Sequence, residues 1–237
     1  MTSSLTNRVA LITGASRGIG AATAIELARL GAHVVLIGRT QGGLDETDDT
    51  IRAVGGRATL LPMDLRKPES LDPVGPSLLQ RFGRLDVLVH NAGALGKLTP
   101  VGHIVPKDLD ECVSVNFTAA YRLIRTCAPL LAASDAGRAV FVTSRVAREP
   151  QAYWGAYAAS KAAMEVLVRT WADETEGTAL RVNIFDPGRT ATRMRATAFP
   201  GEDPRTLPTP AAQAAALALL CLPTETRHGT IVRADAA

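Results

Sequence analysis

The sequence predicts an α/β fold: a doubly wound, seven-stranded parallel sheet with helices on both faces. Short continuous runs of Val, Ile, Leu and Ala recur along the chain, as they do in strands buried on both faces. Helix-like segments separate them, which is the pattern of repeated βαβ units. The 237 residues, 46% of them hydrophobic, suffice to bury about 70% or more of the unfolded surface.

Taken in order, the apolar run Val9–Thr13 is the first strand and Ala21–Leu30 the first helix. The runs His33–Ile37 and Thr59–Met63 flank a helix over Leu44–Val54. The helix Glu69–Phe82 leads to a strand at Asp86–Val89, and a long helix over Leu109–Leu131 leads to one at Ala139–Thr143. The helix Ala156–Glu174 precedes the strand Leu180–Phe185, and Ala211–Leu220 precedes the short run Thr230–Val232. No Pro-, Gly- or Ser-rich linker and no repeat of solenoid period interrupts the series, so residues 1–237 are read as one domain. The stretch Arg189–Pro208 has three prolines and no clear period. It follows a strand-like run, where α/β proteins place loops that cover a substrate, so a lid is expected over about 189–208.

Composition excludes several classes. A formal charge of +3 with no basic run interleaved with aromatics argues against nucleic acid as a partner. The apolar stretch Ala214–Leu222 is far short of the ~20 residues a membrane helix needs. The start Met1-Thr2-Ser3-Ser4 lacks the pattern of an export signal. A soluble cytoplasmic protein is the expectation. Cys112, Cys127 and Cys221 read as reduced core thiols, and no metal-ligand spacing links them to the four histidines.

After the first strand comes Thr13-Gly14-Ala15-Ser16-Arg17-Gly18-Ile19-Gly20, opening directly into a helix. Glycines let the backbone approach a pyrophosphate, and a helix N-terminus offers free N–H groups and a positive dipole end. The spacing is G-x-x-x-G-x-G, neither the G-x-G-x-x-G fingerprint nor a P-loop; a plain strand-to-helix turn is the other reading. In NAD binders an acid at the end of the second strand holds the ribose 2′-OH. Here that strand ends Ile37-Gly38-Arg39-Thr40. An arginine there attracts a 2′-phosphate and can bind it bidentately, and Arg17 supplies a second positive charge. NADP(H) is therefore expected over NAD.

Tyr157 and Lys161 are four residues apart in a helix-like segment and so share a face. A tyrosine titrates near 10, and bringing it near 7 takes about 4 kcal/mol. One ammonium about 4 Å away at an effective dielectric of 20 supplies roughly that. Ser144 stands at a strand end, where ligands bind in open α/β sheets, placed to donate to an oxygen gaining negative charge. His90-Asn91-Ala92-Gly93 follows the fourth strand in the same way, with His90 read as a packing residue. Asn116 interrupts an apolar helix-like stretch, which points to a buried functional hydrogen bond.

These residues together resemble the short-chain dehydrogenase/reductase family in its compact single-domain branch, from Arg8 to about Val232. The resemblance rests on the Thr13–Gly20 loop, Asn91-Ala92-Gly93, Asn116, Ser144, Tyr157-x-x-x-Lys161 and Pro187-Gly188, in that order. The segments His90–Gly96, Trp154–Lys161 and Thr192–Pro204 look like a bacterial YciK-like subgroup. The resemblance implies a Rossmann-like fold and catalytic Asn116, Ser144, Tyr157 and Lys161. Tyr157 would be the acid/base, Lys161 would lower its pKa and hold the nicotinamide ribose, Ser144 would orient the substrate oxygen, and Asn116 would hold a water linking Lys161 to solvent. It implies a cofactor site of Gly14, Ser16, Arg17, Gly18, Ile19, Gly20, Arg39, Asp64, Leu65, Asn91, Ala92, Gly93, Tyr157, Lys161, Pro187, Gly188, Thr190 and Thr192, with no metal. Asp64 and Asn91 would lie by the adenosine, and Pro187–Thr192 by the nicotinamide.

The expected partner is a small carbonyl or alcohol substrate, and the expected assembly a homodimer or homotetramer. Two departures stand out. Arg189-Thr190 replaces two residues that are generally apolar in the family, and the end Ala234-Asp235-Ala236-Ala237 lacks its usual Gly-Gly. An NADP(H)-binding redox sensor without turnover is a second reading. An epimerase or dehydratase of the longer branch needs an added substrate domain. Arg145, Arg148, Arg189, Arg193 and Arg195 would favour an anionic substrate if several face the cleft.

Overall fold

The computed structural model describes residues 5–234. Both chain ends singled out above, Met1–Ser4 and Asp235–Ala237, lie outside the described residues. Seven strands form one sheet: β1 (Val9–Thr13), β2 (His33–Gly38), β3 (Arg57–Pro62), β4 (Val87–His90), β5 (Arg138–Val142), β6 (Arg181–Asp186) and β7 (Ile231–Arg233). All six pairings are parallel and the order is β3-β2-β1-β4-β5-β6-β7. The order reverses between β1 and β4, which opens a crevice beyond the strand C-termini there.

The helices are α1 (Gly18–Arg29), α2 (Gln41–Ala53), α3 (Val74–Phe82), α4 (Pro106–Cys112), α5 (Ala119–Ala133), α6 (Gly155–Glu174), α7 (Arg193–Ala198) and α8 (Pro210–Leu219). Alternate strand residues feed two cores, as a period of two requires. On one face Val9, Leu11, Leu88 and Phe141 pack with Leu123 of α5 and Met164, Val168 and Trp171 of α6. On the other, Ala10, Ile12, Val89 and Val140 pack with Ala24 and Leu27 of α1, Leu44 and Ile51 of α2, and Leu217 of α8. The apolar runs are continuous because both faces are covered.

Three expectations need correcting. The helix read over Leu109–Leu131 begins at Pro106 and carries a π-helical turn at Val113–Thr118 between α4 and α5. A π-turn inserts an extra residue without disturbing the apolar pattern, so the sequence reads straight through it. The helix read over Glu69–Phe82 is a 3₁₀ turn at Pro68–Leu71 followed by α3; Pro73, with no N–H to give, marks the restart. The stretch 189–208, read as without regular structure, holds α7, whose Thr192 hydroxyl accepts from the Arg195 amide at 3.2 Å, an N-cap.

Charges tie down the N-terminal ends of the central strands, remote from the crevice. Asp86 is fully buried at the start of β4. Its carboxylate accepts from Arg8 (3.2 Å), Arg84 (2.6 and 2.8 Å), the Ser134 hydroxyl (2.6 Å) and the Val9 amide (2.9 Å). Nearby, the buried Arg138 guanidinium donates to the carbonyls of Gly137, Ala179, Leu222, Pro223 and Glu225. It thereby holds the segment after α8 against β5.

Candidate active site

A cavity of about 530 Å³ opens at the β1/β4 crevice. Its floor is the turn after β1. Gly14 has φ +67° and Gly18 φ +60°, the left-handed region in which glycine is the default residue. A Cβ on Gly20 would stand 2.3 Å from the Gly14 carbonyl oxygen and 2.4 Å from Asn91 Nδ2, so only glycine fits beneath the loop. The Asn91 amide donates to the carbonyls of Thr13 (3.2 Å) and Gly14 (3.4 Å). The Thr47 hydroxyl donates to the Ala15 carbonyl at 2.9 Å. The loop is therefore held from α2 and from the end of β4. No side chain caps α1, so its first-turn amides remain free, as an anion site requires.

Of the eighteen residues expected at the cofactor, all but Gly20 line this cavity. Arg17 and Arg39 are exposed at its rim and have no carboxylate partner among the described residues. Arg66 also lines it, bound to Asp64 at 2.5 Å. That hydrogen bond, assisted by the charges of Arg66 and Arg39, holds the Asp64 carboxyl below its usual range. A glycine cradle, an uncapped helix start and free guanidinium groups suit a phosphorylated dinucleotide.

Ser144, Tyr157 and Lys161 line the same cavity. Tyr157 and Lys161 lie one turn apart on α6 and are both buried. Lys161 Nζ donates to the Val142 carbonyl at 2.7 Å. Burial pushes its pKa down to about 8, against the opposing charge of Glu165. Burial pushes the Tyr157 phenol above its ordinary value, and the hydrogen bond from Ser144 opposes that rise. The depressing contact on the phenol is thus with Ser144, whereas the sequence pointed to Lys161.

Asn116, fully buried in the π-turn, is not in the cavity wall. Its Oδ1 accepts from the Ala94 amide at 2.8 Å, while Nδ2 donates to the Ala94 carbonyl (2.9 Å) and Ser160 Oγ (2.8 Å). Ser160 in turn donates to the Tyr157 carbonyl at 2.8 Å. The side-chain amide thus ties the loop after β4 to α6. His90 is buried, with Nδ1 3.0 Å from the Thr13 hydroxyl. Burial, together with the charge of Lys161, brings it to about 3, so it is neutral and serves packing.

Sequence reasoning missed Arg66, Glu111, Val115, Trp154, Met194 and Ala198 in the wall. Of these, only Trp154, Met194 and Ala198 fell within the stretches singled out by the resemblance. Trp154 stands edge-on to Tyr157, ring centroids 5.8 Å apart, and 5.8 Å from the Phe199 ring. The arginines considered for an anionic substrate are mostly paired. Arg145 binds Glu149, Arg148 binds Glu165 and Asp186, and Arg189 and Arg195 share Glu202. Arg195 also lies over the Phe199 ring at 3.7 Å. Arg193, at the rim, is the one without a carboxylate partner among the described residues.

Residues 8–203 match the family model described as short chain dehydrogenase. The oxidoreductase YciK of Escherichia coli (strain K12) is 41% identical over 210 residues, covering 87% of this chain and 83% of that protein. Two solved structures are close. A short chain dehydrogenase of Shigella flexneri 2a str. 301 complexed with NADP superposes with TM-score 0.94 at 37% identity, covering 99% of this chain and 100% of that one. One of Escherichia coli CFT073 complexed with NADPH gives 0.92 at 38%, covering 99% of each. Among the described residues no helix is long and apolar enough to cross a membrane. By sequence and by fold, this chain belongs to the short-chain dehydrogenase family of oxidoreductases.

Proposed function

We propose that the chain is an NADP(H)-dependent enzyme that moves a hydride between nicotinamide and a carbonyl or secondary alcohol, with Tyr157 as acid/base. The observation that carries this reading is that Ser144, Tyr157 and Lys161 share one cavity wall with the glycine turn, Arg17 and Arg39. Bound there, NADP(H) supplies or accepts the hydride. In reduction the carbonyl oxygen gains negative charge, and Tyr157, with its raised pKa, holds the proton it needs at neutral pH. Ser144 orients that oxygen and hydrogen-bonds the phenol. Lys161 offers a buried cation beside them. Asn116, through Ser160, fixes the turn of α6 that carries Tyr157. The segment 189–208 covers the substrate side, with Trp154 and Met194 as its apolar contacts.

The experiment is fluorescence titration of NADPH and NADH, followed by turnover across a panel of ketones, aldehydes and alcohols. Tight NADPH binding with no turnover on the whole panel favours the redox-sensor reading instead. Arg39→Ala is expected to weaken NADPH binding about 10- to 100-fold while NADH binding stays the same, since a charge-assisted hydrogen bond is worth about 1.5–3 kcal/mol. Equal losses for both nucleotides would contradict a 2′-phosphate contact. Gly20→Ala is expected to weaken both nucleotides about tenfold or more, because overpacking costs about 1–3 kcal/mol and the added methyl meets backbone. Unchanged titrations would show that the turn is not the phosphate cradle.

A further inference from the structure

Behind the cavity wall two buried carboxylates meet a partly buried guanidinium, a set to which the proton transfer assigns no part. Arg148, just after the turn that follows Ser144, donates from one nitrogen to Glu165 Oε1 at 2.5 Å and from another to Asp186 Oδ2. The Thr143 hydroxyl donates to the same Glu165 oxygen at 2.5 Å. The other Asp186 oxygen accepts from the Gly188 amide at 3.1 Å. Glu165 is 6% exposed and Asp186 3%. One guanidinium therefore joins the three segments that carry Ser144, the pair Tyr157–Lys161, and the Pro187–Gly188 turn.

On α6, Tyr157, Lys161 and Glu165 succeed each other at intervals of four and are all buried, so they form one row along the helix. Arg148, Glu165 and Asp186 together carry one net negative charge, and Lys161 balances it. Burying such ions costs several kcal/mol each, and well-packed apolar residues serve stability as well or better. The arrangement is costly for a scaffold and useful for a site whose lysine must stay charged.

We propose that Glu165 and Arg148 are positioning residues of this site: Glu165 keeps Lys161 cationic, and Arg148 locks the Ser144 turn, α6 and the Pro187–Gly188 turn in register. The proposal rests on the proton-transfer reading above. Lys161 Nζ donates to the Val142 carbonyl, Glu165 one turn further along α6 acts on it through charge, and Cys112 of α4 and His90 of β4 are its other titratable neighbours. Cys112 is held protonated, pushed up to about 11 chiefly by burial, and His90 is neutral. Glu165 is thus the anion that opposes burial at the ammonium.

The test uses Glu165→Gln, which keeps the shape and the acceptor but removes the charge. In ¹³C-lysine NMR Lys161 is expected to titrate first of the four lysines, its signal identified by its loss in Lys161→Met. In Glu165→Gln that titration is expected to fall about one pH unit. The alkaline limb of kcat should move down with it, kcat at pH 8 should drop about fivefold, and KM for NADPH should stay within about twofold. Arg148→Lys, which keeps the charge but loses the fork, should lower kcat without moving the Lys161 titration. A folded Glu165→Gln protein with an unmoved titration and the wild-type kcat profile overturns the proposal. If Glu165→Gln does not fold, Thr143→Val and Arg148→Lys decide: wild-type kcat in both overturns it. A wild-type protein that binds NADPH but never turns over defeats the proton-transfer reading alone, and the NMR titration still answers for Glu165.

Discussion

Tyr157→Phe is expected to bind NADPH within about twofold of the wild type and to lose about 10²- to 10⁴-fold in kcat, the range for a positioned acid or base. The phenyl ring fills the same space beside Trp154, so the loss reports the hydroxyl. Single-turnover measurement of NADPH oxidation with an accepted carbonyl reads it directly. Turnover within about tenfold of wild type would take the proton from Tyr157 and assign it to another group in the wall.

Asp86→Ala is expected to cost about 3–5 kcal/mol of stability, because Arg8 and Arg84 lose a buried carboxylate partner. In a chain of this size that lowers Tm by about 10 °C, read by calorimetry or urea unfolding, while the site at the opposite strand ends keeps its cofactor affinity. Burial works to raise the Asp86 carboxyl, but the hydrogen bonds from Arg84, Ser134 and the Val9 amide outweigh it and hold it below its ordinary value. A carboxylate depressed in the folded state adds stability that is full above its unfolded pKa of ~3.9 and is lost as pH falls through the folded one. The wild type should therefore lose stability below about pH 4, and Asp86→Ala should lose less over that window. An equal acid loss in both proteins would mean that other carboxylates carry it.

The strands were legible because both faces are buried and the runs are unbroken; Val9–Thr13 is read with the bounds it has. The glycine turn and the Tyr157–Lys161 pair were legible because their chemistry is local, within eight residues of chain. The π-turn at Val113–Thr118 was not, since Val115, Phe117 and Ala119 continue an apolar pattern while the hydrogen bonding changes. Asn116, out of place in that pattern, was its one visible mark. The Arg148 network escaped because its partners lie 17 and 38 positions away, and nothing in the order of residues brings Glu165 and Asp186 to one guanidinium. Two of the lid arginines looked free because their partner lies further along the chain: Glu202, seven positions beyond Arg195, pairs with Arg189 and Arg195. Trp154 sat in view beside Tyr157 yet carried no chemical pattern that marks a wall residue.

The most direct measurement is deuterium transfer from NADPH deuterated at C4 of the nicotinamide to a carbonyl substrate, followed by mass spectrometry of the alcohol. If the cavity does what its residues suggest, one deuterium appears on the carbinol carbon with wild-type protein, and almost none with Tyr157→Phe at equal cofactor occupancy. Bound NADPH whose deuterium never reaches any carbonyl, or reaches it equally well without the phenol, would contradict the account.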